Sequence, residues 1–197
     1  MSEKPNKRRL IVEAALKLIA ENGFHGAPTS KIAAEAGVGE GSIYRHFKDK
    51  EDLIHHVFRH VASQMGDAIL LDHDPEAPIR EQYLRLGFNI FNFLLENPKP
   101  QAFFEQYFNS PFGISHRRDM MLEDKAKKDQ EQFHVVDALL ESAIDQQIVK
   151  ELPLPVLMAL TVGPIIFLVR DVSSGLFDLD SRTVQKTVEA CWDAVKR

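Results

Sequence analysis

Ser42, Tyr44, Arg45 and His46 crowd onto one short segment of this chain, and each of these side chains can donate a hydrogen bond. Donors gathered on one helical face suit phosphate oxygens, and a guanidinium such as that of Arg45 can also pair bidentately with guanine in a major groove. Enzymatic chemistry has no comparable grouping. No nucleophile, base and acid stand out as a set, and neither a glycine-rich phosphate loop nor a His-Glu-x-x-His pair is present. The chain is expected to be no enzyme and to carry no cofactor. His56 and His60 share a helix face beside His55, but zinc needs a third ligand and the sequence offers no obvious one. We expect no metal there and read a solvated helix face. Asp72-His73-Asp74 reads as linker, and Cys191 beside Trp192 as a packed core thiol.

The elements that position those donors are helical throughout, because strand-like alternation is almost absent. Leu10, Ala14 and Leu18 with Ile11, Ala15 and Ile19 form an apolar stripe at helical spacing, and Asn22-Gly23 is a stop signal. A second helix is expected from Thr29 to Ala36, with the Thr29 hydroxyl as N-cap and Gly37 supplying a left-handed turn. A third covers about Glu40 to Phe47. Ala33 allows the two to approach closely, while Ile32, Val38, Ile43 and Phe47 fill a small core. A fourth helix is expected from about Lys50 to Leu70, with Leu53, Ile54, Val57, Phe58 and Val61 turned inward. After a linker from Asp72 to Pro78, helices are expected near 78–96, 101–109, 115–147, 153–172 and 180–195, separated by proline- and glycine-bearing breaks.

The net charge of −5 is unevenly distributed. Residues 1–50 hold nine Lys/Arg against six Asp/Glu, and residues 51–197 hold fifteen against twenty-three. A basic end on an acidic chain permits contact with phosphate while the rest stays soluble. Lys4, Lys7, Arg8 and Arg9 are either a solvated terminus or an arm along a nucleic-acid backbone. A single cysteine excludes an intramolecular disulfide and suits a reducing cytoplasm. The longest apolar run, Leu154 to Val169, contains two prolines and is shorter than the roughly 20 residues of a membrane span. It is expected to be a buried helix, and the protein to be cytoplasmic with no membrane partner.

Residues 8–54 bring together Ala14-Ala15, Asn22-Gly23-Phe24, Ile32-Ala33, Ala36-Gly37-Val38, the run from Gly41 to Phe47, and Lys50-Glu51-Asp52-Leu53. In these motifs the segment resembles the N-terminal domain of the TetR family of bacterial regulators. The resemblance implies an all-α fold: residues 1–52 as a three-helix DNA-binding domain with a helix-turn-helix, and residues 53–197 as a helical ligand-binding and dimerisation domain. It also implies roles. Thr29, with Ser30 beside it, would touch phosphate at the start of the second helix. Gly41 and Ser42 would open the recognition helix against DNA, and Tyr44 and His46 would clamp phosphates. Lys50 would point at the same backbone and Arg45 at a base. With Arg8 these are the expected DNA-binding residues. Gly39 stands where the family usually has Ser or Thr. Glu40 replaces a commoner basic or neutral residue, and either reads a cytosine amino group or faces solvent.

Ten of the thirteen phenylalanines lie beyond residue 60, more aromatic surface than thin helices need for packing. An apolar cavity is expected there, with Phe88, Phe91, Phe104, Tyr107, Phe108, Met120, Phe133 and Phe167 as ligand-binding residues. Gln106, Asn89, Asn92, His116 and Arg170 could meet a polar head. The segments 153–172 and 180–195 carry apolar residues on more than one face and are expected to form a four-helix bundle with a second copy, making a homodimer. The function that follows is a transcription regulator: a repressor bound to a double-stranded DNA operator and released by a small apolar or amphipathic ligand. A ligand-independent architectural or activator protein, or an all-helical carrier of apolar molecules, are the alternatives.

Overall fold

The computed structural model describes residues 6–115 and 135–197. Its helices are α1 (Lys7–Gly26), α2 (Thr29–Glu35), α3 (Ile43–His46) with a preceding 3₁₀ turn (Glu40–Ser42), α4 (Lys50–Ile69), α5 (Ile79–Glu96), α6 (Pro98–Phe108), α7 (Val135–Asp145), α8 (Leu154–Thr161), α9 (Gly163–Ser173) and α10 (Ser181–Val195). They gather into two compact units, residues 6–62 with 99–115, and residues 63–98 with 135–197. This grouping differs from a division at residue 52, because α4 continues past it and most of α6 joins the N-terminal unit.

In the first unit, Asn6 starts α1 by accepting at Oδ1 from the amides of Arg8 and Arg9. Gly23, at φ 72° and ψ 174°, breaks the helix where the sequence has its stop. The inward face is Ile11, Val12, Ala14, Ala15, Leu16 and Ile19. Leu10 is 39% exposed, so the apolar arc is rotated from the expected stripe towards Val12 and Leu16. Asp49 and Asp52 start α4 reciprocally: Asp49 Oδ1 accepts from the Asp52 amide at 2.8 Å, and Asp52 Oδ2 from the Lys48 amide at 3.0 Å. Leu53, Ile54, Val57, Phe58 and Val61 are all buried, as their spacing requires.

In the second unit, α5 buries Tyr83, Leu86, Ile90, Phe91 and Leu94 and packs along α9 and α10. Gly87 is what lets α10 approach, since a Cβ there would lie 2.7 Å from Val188 Cγ1. The helix expected over 153–172 is two, broken at Val162 because Pro164 has no amide to continue the ladder. It is also only half-buried. Leu157, Thr161, Ile165 and Val169 face inward, whereas Val156, Leu160, Ile166 and Phe167 face out. By length and composition Leu154–Ser173 passes for a membrane span, but its inward residues serve the unit's own core. On α10 the expected second apolar face is missing: Val184, Val188, Cys191, Trp192 and Val195 all turn inward, and Arg182, Gln185, Lys186 and Asp193 are exposed. The chain end is held by backbone bonds from Lys150 to Val195 at 2.8 Å and from Arg197 to Ile148 at 3.1 Å.

Candidate nucleic-acid interface

The turn between α2 and α3 is rigidly specified. The Val38 amide donates to the Ala33 carbonyl at 2.9 Å and the Gly37 amide to Ala34 at 3.1 Å, with Gly37 at φ 64°. This pair of bonds is a Schellman motif, which needs a left-handed residue where glycine stands. Below it Ile32, Ala33, Ile43 and Phe47 are each at most 2% exposed, while Val38 is half-buried.

With that core fixed, the other side of the α3 segment is presented outward. Gly41, Tyr44, Arg45 and His46 are exposed, Ser42 is half-buried, and Ser30 is exposed on α2. Tyr44 is a large aromatic left 56% exposed. Thr29 is corrected. It is the first residue of α2, whose N-cap is Pro28 without a side-chain cap bond. The Thr29 hydroxyl turns across the interface instead, lying 3.2 Å from Glu40 Oε1 and 3.3 Å from the Tyr44 hydroxyl.

Cations flank this row. Lys7, Arg8 and Arg9 form the first turn of α1, so they belong to a capped helix and not to a frayed terminus; Lys4 lies outside the described residues. Three cations at a helix N-terminus oppose the helix dipole, an arrangement that folding alone does not favour. The Arg8 guanidinium lies over the Phe47 ring, 5.5 Å from its centroid. Lys50 is also tied internally: its half-buried ammonium donates one hydrogen to the Phe24 carbonyl at 2.6 Å, and desolvation pulls its pKa below the ordinary lysine value.

The three histidines of α4 are partly buried and partnered, not simply solvated. His55 Nδ1 lies 3.0 Å from the Tyr107 hydroxyl, His56 Nδ1 lies 2.8 Å from the Asp52 carbonyl, and His60 Nε2 lies 3.0 Å from Glu13 Oε1. No group of three or more potential metal ligands occurs among the described residues.

Two family descriptions match this chain: bacterial regulatory proteins of the tetR family over residues 11–57, and the tetracyclin repressor-like C-terminal domain over residues 78–196. The chain belongs to the TetR family. A TetR-family regulator of Vibrio parahaemolyticus superposes with a TM-score of 0.77 at 31% identity, over 98% of this chain and 99% of its own. An uncharacterized HTH-type transcriptional regulator of Haemophilus influenzae is 28% identical over 95% of this chain and 94% of its own length. The fatty acid metabolism regulator protein of Bacillus subtilis is 39% identical, with the alignment spanning 42% of each chain. The all-α architecture and the helix-turn-helix are those of TetR regulators, and the chain is a DNA-binding transcription regulator.

The residues expected around an aromatic cavity are distributed over both units. Tyr107 stacks on Phe58 at 4.6 Å between ring centroids, Phe104 on Phe108 at 5.7 Å, and Phe104 meets Phe58 edge-on at 5.9 Å, so these rings are core partners of one another. Phe88 is half-buried and Phe91 buried on α5, in the other unit. Phe167 is 55% exposed, with the Arg170 guanidinium 4.2 Å over its ring. Met120, Phe133 and His116 lie outside the described residues. Two of the polar candidates are engaged in structure. Gln106 donates to the Ile19 and Ala20 carbonyls at 2.9 and 3.2 Å, and Asn89 to those of Ile69 and Leu71, both at 2.9 Å. A groove of about 620 Å³ lies between residues 73–79 and α7, lined among others by His73, Ile79, Gln82, Leu139 and Ser142.

Sequence reasoning missed the Thr29–Glu40–Tyr44 contact and the Gln106 cover of α1. The first had a signal, a carboxylate at the head of an otherwise donor-rich segment. The second joins positions more than eighty residues apart and had none.

Proposed function

We propose that this protein is a homodimeric repressor, released from its operator by a small apolar or amphipathic ligand and acting in the cytoplasm. The observation that carries the reading is the outward row of Ser42, Tyr44, Arg45 and His46 on a helix-turn-helix whose own core is complete without them. Arg8, Thr29, Ser30, Gly41, Ser42, Tyr44, Arg45, His46 and Lys50 make the DNA contacts, with phosphate contacts outnumbering base contacts. Domain roles follow residues 1–52 for DNA and 53–197 for ligand and dimer. The interface with a second copy runs through 153–172 and 180–195, and the exposed apolar face of α8 and α9 supports it. Two recognition helices then stand about 34–36 Å apart, one turn of B-DNA.

The likeness to a Bacillus subtilis fatty acid metabolism regulator, and the shared fold of the regulator FadR from that organism solved with stearoyl-CoA, support an acyl-bearing ligand. A ligand releases DNA only by binding the two states of the protein unequally. The test is a footprint of the full chain on its own promoter region, repeated with stearoyl-CoA. A two-half-site footprint that fades with ligand agrees with this reading. A footprint unchanged at saturation rejects release by an acyl ligand, and the absence of a footprint rejects the regulator role at that promoter.

A further inference from the structure

Glu40 is an acceptor-only side chain at the head of a recognition segment whose other exposed polar groups are donors. Brought up to a phosphate-lined groove, a carboxylate is unfavourable unless a donor meets it. The structure fixes where it points. Thr29 Oγ1 donates to Glu40 Oε1 at 3.2 Å. A hydroxyl has one hydrogen, so the 3.3 Å contact between Thr29 and Tyr44 is then a donation from the Tyr44 hydroxyl to Thr29. In the free protein the two hydroxyls form a relay that ends on the carboxylate, and Thr29 by itself still holds that oxygen when Tyr44 turns its hydrogen to a phosphate. The carboxylate's remaining lone pairs face solvent from the first turn of the segment, where recognition elements meet base edges.

The major groove offers two amino donors, cytosine N4 and adenine N6, and guanine presents only acceptors there. Beside adenine N6 stands the N7 acceptor, which repels a carboxylate, whereas the neighbour of cytosine N4 is a C–H edge. On this basis we propose that Glu40, positioned by Thr29, is a base-specificity determinant that selects cytosine at one position of each operator half-site. This rests on the regulator reading above and goes beyond it by naming the base and the side chains that choose it.

The test is selection of binding sites from randomised duplex DNA by the full chain, its Glu40→Gln variant and its Thr29→Val variant, each first checked for an unchanged melting temperature. The wild type is expected to fix C·G at one position of each half-site. An amide pairs well with adenine N6 and N7, so Glu40→Gln is expected to move that position alone towards A·T and to weaken binding to the wild-type site roughly tenfold. Thr29→Val is expected to weaken the cytosine preference at the same position while leaving the other selected positions as they are. Identical base preferences in wild type and Glu40→Gln overturn the assignment. Enrichment of no sequence by the wild type overturns the regulator reading and this assignment together, so the two failures are distinct.

Discussion

The hydroxyl of Tyr83 donates to the backbone carbonyl of Thr161 across 3.1 Å, tying α5 to the break between α8 and α9. Pro164 deprives that region of one helical donor, and the Thr161 side chain turns back to the Leu157 carbonyl at 2.7 Å. Tyr83 is 1% exposed, packed on Trp192 at 5.1 Å, and desolvation drives its pKa well above the ordinary tyrosine value. It therefore stays a neutral donor at any physiological pH. Tyr83→Phe keeps the ring and leaves a buried carbonyl without that donor, which costs about 1–3 kcal/mol. A denaturant titration should show a lowered midpoint with an unchanged slope.

Two glycines should fail for different reasons. At Gly37 a Cβ meets nothing within 4 Å, so Gly37→Ala carries only the left-handed backbone penalty, about 1–2 kcal/mol. At Gly87 the backbone is unstrained but the Cβ would lie 2.7 Å from Val188, so Gly87→Ala overpacks the α5–α10 contact by about 1–3 kcal/mol. Combining Gly87→Ala with Val188→Ala should recover part of that loss in thermal melts. Gly37→Ala should be indifferent to the second change.

Asp52 makes the start of α4 acid-sensitive. The Lys48 amide, first among its influences, holds its carboxyl below the ordinary value of 3.8. A lowered folded pKa stabilises the fold fully above that ordinary value, and the contribution is lost as pH falls through the folded one. The side chain is a third exposed, so the effect stays below about 1 kcal/mol. Asp52→Asn should be slightly less stable at neutral pH, and its difference from wild type should shrink as the pH is taken below 3.8.

Arg9 stands exposed in the first turn of α1 beside Arg8, where a DNA backbone is the expected partner. Arg9→Ala should weaken binding to all duplexes alike and reduce the slope of log affinity against log salt by about one. A change confined to particular sequences would place Arg9 at a base instead.

Much of the helix-turn-helix was legible because its rules are local. Gly37 marks a left-handed turn, and Ile43 and Phe47 stand four residues apart. Thr29 was misread because a hydroxyl after a proline looks like a cap, while Pro28 takes the cap position and frees that hydroxyl for Glu40. For the aromatic cluster, abundance alone points to a cavity. Whether Phe58, Phe104 and Tyr107 enclose space or fill it depends on contacts far apart in sequence. The same holds for α10, whose apolar residues all lie on one arc once helical phase is known.

If the exposed Tyr44 row grips operator DNA, fluorescence anisotropy of the full chain on promoter DNA will register it. The protein should bind selectively, lose affinity as salt rises, and bind about tenfold or more weakly as Tyr44→Ala with its melting temperature unchanged. Equal binding of promoter and unrelated DNA, with wild type and Tyr44→Ala indistinguishable, would contradict it.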